Sequence, residues 1–321
     1  MRVVTGSQHG PANVLCVDER QNPTPQPGEA VVEVRVAGIN LMDTYARRGL
    51  GPFTTLPLTL GVDGAGVVVS TGEQSTAKVG DHVAWEYVPG SYAEMVAVPN
   101  QRLVQIPDGV TFEAAAGGLM QGMTAQYLSC EAVPVPKGAV VLIHSAASGV
   151  GRMLTQICAH RGAHVIATVS QHHKAQSALS AGAKHVLVRA EVDDLGVAVR
   201  ELTNGEGVDL VFDGTGKTLF DMSVHALRVG GTFVTYGYAG GHIPPVQLWD
   251  QPHGVRLVFV RADAPEQSTD QWQRRAAQVM SWIGDGTLDV LIDRTYALTE
   301  AATAHEDLES QRTVGKLLLI P

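Results

Sequence analysis

The stretch Ser145-Ala146-Ala147-Ser148-Gly149-Val150-Gly151 is the one part of the chain whose residue types and spacing already describe a binding chemistry. It stands between an apolar run, Val140 to Ile143, and a segment in which Val150, Leu154, Ile157 and Cys158 recur at helical spacing. Strand, tight turn and helix in that order aim the unpaired N–H groups of the first helical turn at one point. The helix dipole adds partial positive charge there, so an anion is held without a basic side chain. The Gly-x-Gly-x-x-Gly pattern of a pyrophosphate-binding turn is met in part, its positions falling on Ala146, Ser148 and Gly151. The Cβ of Ser148 crowds a diphosphate more than glycine does, while its hydroxyl is able to donate to an oxygen. An ordinary glycine-rich turn has the same composition. The context favours the nucleotide: a second apolar run, His164 to Val169, follows Arg161 and Gly162, a base and a glycine that close a helix.

The end of that second run decides which dinucleotide fits. NAD-selective sites place Asp or Glu about 20 residues past the turn to bind the ribose 2'-hydroxyl. Here the chain reads Ser170, Gln171, His172, His173, Lys174, with no carboxylate and one ammonium. A lone lysine at a helix start is also an ordinary solvated charge, but the missing acid and the present base agree. A preference for NADPH over NADH is expected. His172 and His173 diverge as neighbours on a helix start, which suits the flank of an adenosine pocket or water better than a metal.

These residues have to be carried by alternating strands and helices. After Lys174 the pattern predicts helices over 175–181, 194–202 and 219–227 and strands over 185–188, 208–212 and 232–236: a doubly wound parallel sheet, with ligands at the carboxyl ends of its strands. Val255 to Val260 adds an edge strand, and an uncovered apolar edge invites a second copy, so a homodimer joined through 255–260 is expected. Beyond it lie a helix over 271–282, a short strand near Leu291, a helix over 301–308 and a last strand, Gly315 to Ile320. Before Val140, β-branched runs at 2–5, 14–17, 30–36, 67–69, 82–85 and 95–98 predict a compact β-rich domain. One helix interrupts it, Asn40 to Arg48, with Asn40 as N-cap and Asp43 in the acid-favoured first turn.

A chain of 321 residues exceeds what one core organises, so two domains are expected. With a formal net charge of -9 and no Lys/Arg cluster, nucleic acid is not expected as a main partner. No apolar run has membrane-spanning length and the first residues lack a signal peptide's apolar region, so a cytoplasmic protein without a membrane partner is expected. The three cysteines, Cys16, Cys130 and Cys158, are widely separated and give neither a disulfide framework nor a metal knuckle.

Taken together, AGINLMDTYARRG (37–49), LGVDGAGVV (60–68), HSAASGVG, VSQHHKAQSALSAGA and RTVGKLLLIP resemble the zinc-independent quinone oxidoreductase branch, which includes the zeta-crystallins, of the medium-chain dehydrogenase/reductase superfamily. The resemblance spans nearly the whole chain. It implies an α/β protein: a GroES-like β-rich catalytic domain from both chain ends (1–122 and 287–321), with a Rossmann NADPH-binding domain (123–286) inserted between them and the active site in the cleft. It places Asn40, Asp43 and Tyr45 near the nicotinamide as candidate catalytic residues, Asn40 also touching cofactor. An N-cap, a helix-start acid and a packed aromatic are the plain structural readings of the same three. By matching motif, Thr124 lies near the nicotinamide, Ala147, Ser148, Gly149, Val150 and Gly151 at the pyrophosphate, Ser170 and Lys174 at the 2'-phosphate, with Arg189, Tyr236, Gly237 and Arg312 completing the cofactor contacts. Arg189 and Arg312 equally suit solvated surface charges, and His144 reads as structural.

Zinc-using relatives carry a ligand cysteine where this chain has Asn40 and a ligand histidine where it has Val62, so no metal site is expected. Without a Lewis acid, hydride transfer needs an acceptor that is already electrophilic, such as a quinone or an activated C=C bond. The implied activity is NADPH-dependent, metal-independent quinone reduction. Reduction of enals, enones or enoyl thioesters, which adds a proton at the neighbouring carbon, remains open. So does a non-catalytic NADPH-binding role, because Gly51 stands where family members often have a substrate-facing tyrosine.

Overall fold

The computed structural model describes residues 1–247, 249, 251–252, 254–261 and 268–321. The chain forms two units, Met1–Met123 with Pro265–Pro321, and Thr124–Ala264.

In the first unit β1 (Arg2–Thr5) pairs antiparallel with β2 (Cys16–Glu19). The strand expected over 14–17 starts later, because Ala12–Val14 turn as a short 3-10 helix behind Pro11. β3 (Glu29–Ile39) then leads into α1 (Leu41–Arg47), and β4 (Gly64–Thr71), β5 (His82–Trp85), β6 (Met95–Pro99) and β7 (Leu103–Gln105) follow. Asn40 holds the N-cap position of α1 as expected, but its side chain makes no cap hydrogen bond; the backbone N–H donates to Asp43 Oδ2 at 2.8 Å, the reciprocal half of a capping box. α2 (Phe112–Gln126) is not among the elements the sequence predicts. It is apolar on nearly every side and so has no period to read. Its glycines serve close packing: a Cβ on Gly118 would lie 2.6 Å from Ile283 Cδ1, and one on Gly122 2.5 Å from Val279 Cγ1.

The second unit is a parallel six-stranded sheet. β8 (Val140–Ile143), α3 (Gly149–His160), β9 (His164–Val169), α4 (Ala175–Ser180), β10 (His185–Val188), α5 (Leu195–Leu202), β11 (Val208–Asp213), α6 (Phe220–Ala226), β12 (Leu227–Thr235) and β13 (Arg256–Phe259) follow in sequence. The strands lie in the order β10-β9-β8-β11-β12-β13. The order reverses between β8 and β11, the crevice where such sheets bind nucleotides. Leu142, Val211, Phe220 and Phe233 are in its buried core.

The chain then returns to the first unit through α7 (Thr269–Gly284), β14 (Ile292–Ala297), α8 (Ala301–Glu309) and β15 (Lys316–Ile320). β15 pairs antiparallel with β3 and parallel with β14, so both chain ends share one seven-stranded sheet. The sequence division at 287 differs from the grouping of contacts, which puts the whole of α7 with the first unit. The reason is packing. Trp272 Nε1 donates to buried Glu86 at 2.7 Å, and Gln273 Nε2 donates to the carbonyls of Gln101 and Leu103. No helix among the described residues is long and apolar enough to cross a membrane.

Candidate functional site

In the second unit the turn after β8 is built for anion binding. Ser148 is the N-cap of α3, its Oγ accepting the Gly151 N–H at 3.2 Å. The hydroxyl thereby keeps its own proton to donate, and the N–H groups of Gly149 and Val150 have no acceptor within the helix. A Cβ on Gly151 would sit 2.3 Å from the Ser145 carbonyl oxygen, which is why the last position of the motif is glycine. Ser148 at the middle position is exposed and meets no such obstacle. Behind the turn, His144 is fully buried and burial pushes its pKa down to about 3, so the ring is neutral. Ser223 Oγ donates to the Leu219 carbonyl, so it accepts from His144 Nε2–H at 2.8 Å, and Nδ1 accepts from Thr168 Oγ1 at 2.9 Å. A neutral imidazole with both nitrogens occupied is a brace, not a base.

Because the strands are parallel, the residues after them share one edge of the sheet: Ser170 after β9, Arg189 after β10, Asp213 at the end of β11, Tyr236 and Gly237 after β12. Lys174 is only 8% exposed, so its stem is packed and it is not an ordinary solvated charge. Arg189 is partly buried and interacts electrostatically with Asp213, whose carboxyl is raised by burial and accepts the backbone N–H groups of Thr215 and Gly216. Its charge is therefore partly neutralised inside the protein. His172, exposed, faces Glu191 at 3.2 Å. The hydroxyl proton of Ser148, the open N–H groups of α3 and the Lys174 ammonium are a donor set that fits a phosphorylated dinucleotide.

The first unit holds a second cluster, centred on Asn40. Its Nδ2 donates to Asp63 Oδ1 at 2.7 Å and, at 3.4 Å, to Asp43 Oδ2. Its Oδ1 accepts from Lys316 Nζ and Gln121 Nε2, both at 2.7 Å. Lys316 also pairs with Asp63 Oδ2 at 3.2 Å. All four valences of the Asn40 amide are engaged, and every one of these side chains is buried. Burial and repulsion by Asp63 push the Asp43 carboxyl up to about 7, against the opposing pull of the Asn40 N–H, Lys316 and Tyr92. A chain of bonds leads away from it. Arg47 only donates, so His305 Nδ1, 3.3 Å away, accepts; Nε2–H then donates to Tyr92 at 3.2 Å, and the Tyr92 hydroxyl donates to Asp43 Oδ2 at 3.1 Å. Arg47 is anchored in turn on Glu309 at 2.8 Å.

Of the predicted residues, the structure brings Asn40 and Asp43 into this cluster. Tyr45 lies one turn on, half-buried under the Arg48 guanidinium at 5.3 Å. Arg312, 80% exposed, donates to Ser310 and approaches Asp307 in the turn before β15. Thr124 sits half-buried on α2. Asp63, Tyr92, Gln121, His305 and Lys316 were not read from the sequence. Asp63 and Lys316 did carry a signal, each being the one charged side chain in an otherwise apolar or small-residue run, which demands a partner when that run is buried. Among the described residues no three His, Cys, Asp or Glu side chains group as metal ligands.

The chain matches two family models, an alcohol dehydrogenase GroES-like domain over residues 26–108 and a zinc-binding dehydrogenase domain over 149–282. It is 36% identical to a probable quinone oxidoreductase of Schizosaccharomyces pombe over 99% of this chain and 96% of the relative. A 2-haloacrylate reductase of a Burkholderia species is 31% identical over 100% of this chain and 99% of the relative. Among solved structures, the Escherichia coli quinone oxidoreductase complexed with NADPH superposes with a TM-score of 0.95 at 31% identity, covering 100% of both chains.

Proposed function

Since the chain belongs to the quinone oxidoreductase branch of the medium-chain dehydrogenase/reductase superfamily, we infer that it is an NADPH-dependent oxidoreductase whose acceptor is a quinone. The observation that carries this reading is the Ser148-capped start of α3 at the reversal point of a parallel sheet, with Lys174 instead of a carboxylate beyond β9. NADPH supplies the hydride when bound. The first turn of α3 and Ser148 hold the pyrophosphate, and Ser170 and Lys174 receive the 2'-phosphate. In the first unit Asn40, its amide locked by four bonds, and Asp43 form a rigid polar cluster, and these two with Tyr45 are the residues we assign to the hydride-transfer step. Rigidity matters because such a site works by alignment.

The test follows NADPH absorbance against quinones and enones in parallel, with a metal chelator throughout. Quinone-dependent NADPH oxidation unaffected by chelator is expected, and no turnover with any quinone would overturn the assignment. The likeness to a 2-haloacrylate reductase, with Gly51 in place of a tyrosine, supports activated alkenes as a second acceptor class. The products separate the two: a hydroquinone, or a saturated carbonyl compound.

The acting form is a homodimer in a cytoplasmic setting, where NADPH is the reducing pool. β13 ends the six-stranded sheet and leaves Phe259 69% exposed beside half-exposed Leu257, an apolar edge suited to a second copy. Light scattering is expected to give twice the mass of one chain for the native protein and the mass of one chain for Phe259→Lys. A native monomer contradicts this.

A further inference from the structure

Two loops at the carboxyl edge of the parallel sheet are fastened to each other. One follows β11 through Gly214, Thr215 and Gly216, the other follows β12 through Gly237 to Gly241. Ala239 and Gly240 donate their N–H groups to the carbonyls of Gly214 and Thr215 at 3.1 and 2.7 Å, and Lys217 returns one to Gly241 at 2.9 Å. Glycine permits this approach, since a Cβ on Gly216 would lie 2.4 Å from the Gly241 carbonyl oxygen. At the end of the second loop the His242 ring is stacked on Tyr238, centroids 4.4 Å apart and planes 21° from parallel, with His242 itself exposed. An imidazole open to solvent is thus held on a fixed platform. Histidine is the side chain that gains and loses a proton near neutral pH, and His242 is the one histidine within 213–218 and 236–242.

The direction of the dinucleotide brings the reaction to this platform. With its pyrophosphate at the start of α3, after β8, and its 2'-phosphate at Lys174, beyond β9, the adenosine half takes the β9 side of the sheet. The nicotinamide half then runs the other way, over the ends of β11 and β12. Hydride addition to a quinone leaves a hydroquinone anion, whose oxygen takes a proton from water unaided. Hydride addition to the β-carbon of an enone moves the C=C pair toward oxygen and leaves an enolate, and protonation of its α-carbon is helped by a placed donor. Resting on the NADPH reading and on activated alkenes as an acceptor class, we propose that His242 is that donor, with Tyr238 as the residue that positions it. The protonated ring gives one N–H proton to the α-carbon as the enolate pair forms the new C–H bond and the C=O returns. The neutral ring then regains a proton from solvent, so each alkene consumes one NADPH and one proton.

The test gives the whole protein 2-methylcyclohexenone, whose reduction creates a stereocentre at the α-carbon, and separately a benzoquinone. The native protein is expected to form 2-methylcyclohexanone enriched in one enantiomer. His242→Phe keeps a ring on Tyr238 but lacks the proton, and should lower kcat for the enone about 100-fold relative to kcat for the quinone and give a nearly racemic product. Because this is a ratio within one protein, a general loss of fold or of NADPH binding does not imitate it. Without turnover, the ring signals of His242 in the proton NMR spectrum, assigned by their absence from His242→Phe, should shift when 2-methylcyclohexanone is added to native protein holding NADP⁺. A ratio unchanged in His242→Phe, a racemic native product or unmoved His242 signals overturns the proposal, while enone turnover leaves the alkene reading standing. A native protein that reduces quinones and no enone removes the alkene reading together with this one, which tells the two failures apart.

Discussion

Replacing Lys316 by methionine is expected to lower the unfolding free energy by about 3–5 kcal/mol at pH 8, the range for removing one member of a buried ion pair. Methionine fills the space of the lysine stem, so packing is kept and the loss isolates the charge. What remains is Asp63 and Asp43, both buried, with no cation between them, and an Asn40 carbonyl short of one donor. The pH dependence follows from Asp43. Its folded pKa of about 7 lies above the ordinary aspartate value of 3.8, so between these values the folded state holds a proton that the unfolded state has released. Stability therefore falls as pH rises through this window, by at most about 1.4 kcal/mol per pH unit, and levels off above it. Lys316 is one of the influences holding that pKa down. Without it the decline should extend past pH 7, so the difference between variant and native is largest at pH 8 and smaller at pH 5.5. Glu86, also raised to about 7, contributes the same slope to both proteins and cancels. Urea denaturation at the two pH values measures this directly. A loss under about 1 kcal/mol, or one independent of pH, would show that the cluster does not depend on its cation.

How much of this was legible depended on whether a residue's neighbours in space were also its neighbours in sequence. The turn, α3 and the alternation after Lys174 were readable because a βα unit repeats a local pattern, apolar run then helical period, that owes nothing to distant contacts. Asn40 and Asp43 were readable as a helix start for the same reason: the bond from the Asn40 N–H to the Asp43 carboxylate spans three residues. The bonds that engage the Asn40 amide come from much farther away, from Asp63, Gln121 and Lys316, and no local rule joins them. Gln121 was doubly hidden. It sits on α2, whose glycines and apolar faces, useful for packing against Ile283 and Val279, erase the polar side that marks a helix. The partners of α7, Glu86 and the turn around Gln101, lie far back in the chain, so no local pattern shows where this helix packs.

Lys174→Glu is expected to weaken NADPH binding by roughly 100-fold or more while changing NADH binding little. A charge-assisted bond to phosphate contributes about 1.5–3 kcal/mol, and reversing the charge adds repulsion to its loss. Two observations make Lys174, and not Arg189, the residue on which selectivity turns. Lys174 ends the short 3-10 turn, His172–Lys174, that follows β9 where a ribose-binding acid would stand, and its packed stem limits where the ammonium can go. Arg189 faces Asp213, so part of its field is cancelled before it reaches a ligand, and Arg189→Leu should cost NADPH distinctly less. Because Lys174 is buried, the glutamate also strains the fold, and Lys174→Met separates the effects: it removes the charge, keeps the stem, and should still lower the NADPH-to-NADH preference at least tenfold. Equal losses for the two nucleotides in Lys174→Met would mean that this lysine supports the sheet edge and does not read the 2'-phosphate, and selectivity would then have to reside in Ser170 and Arg189.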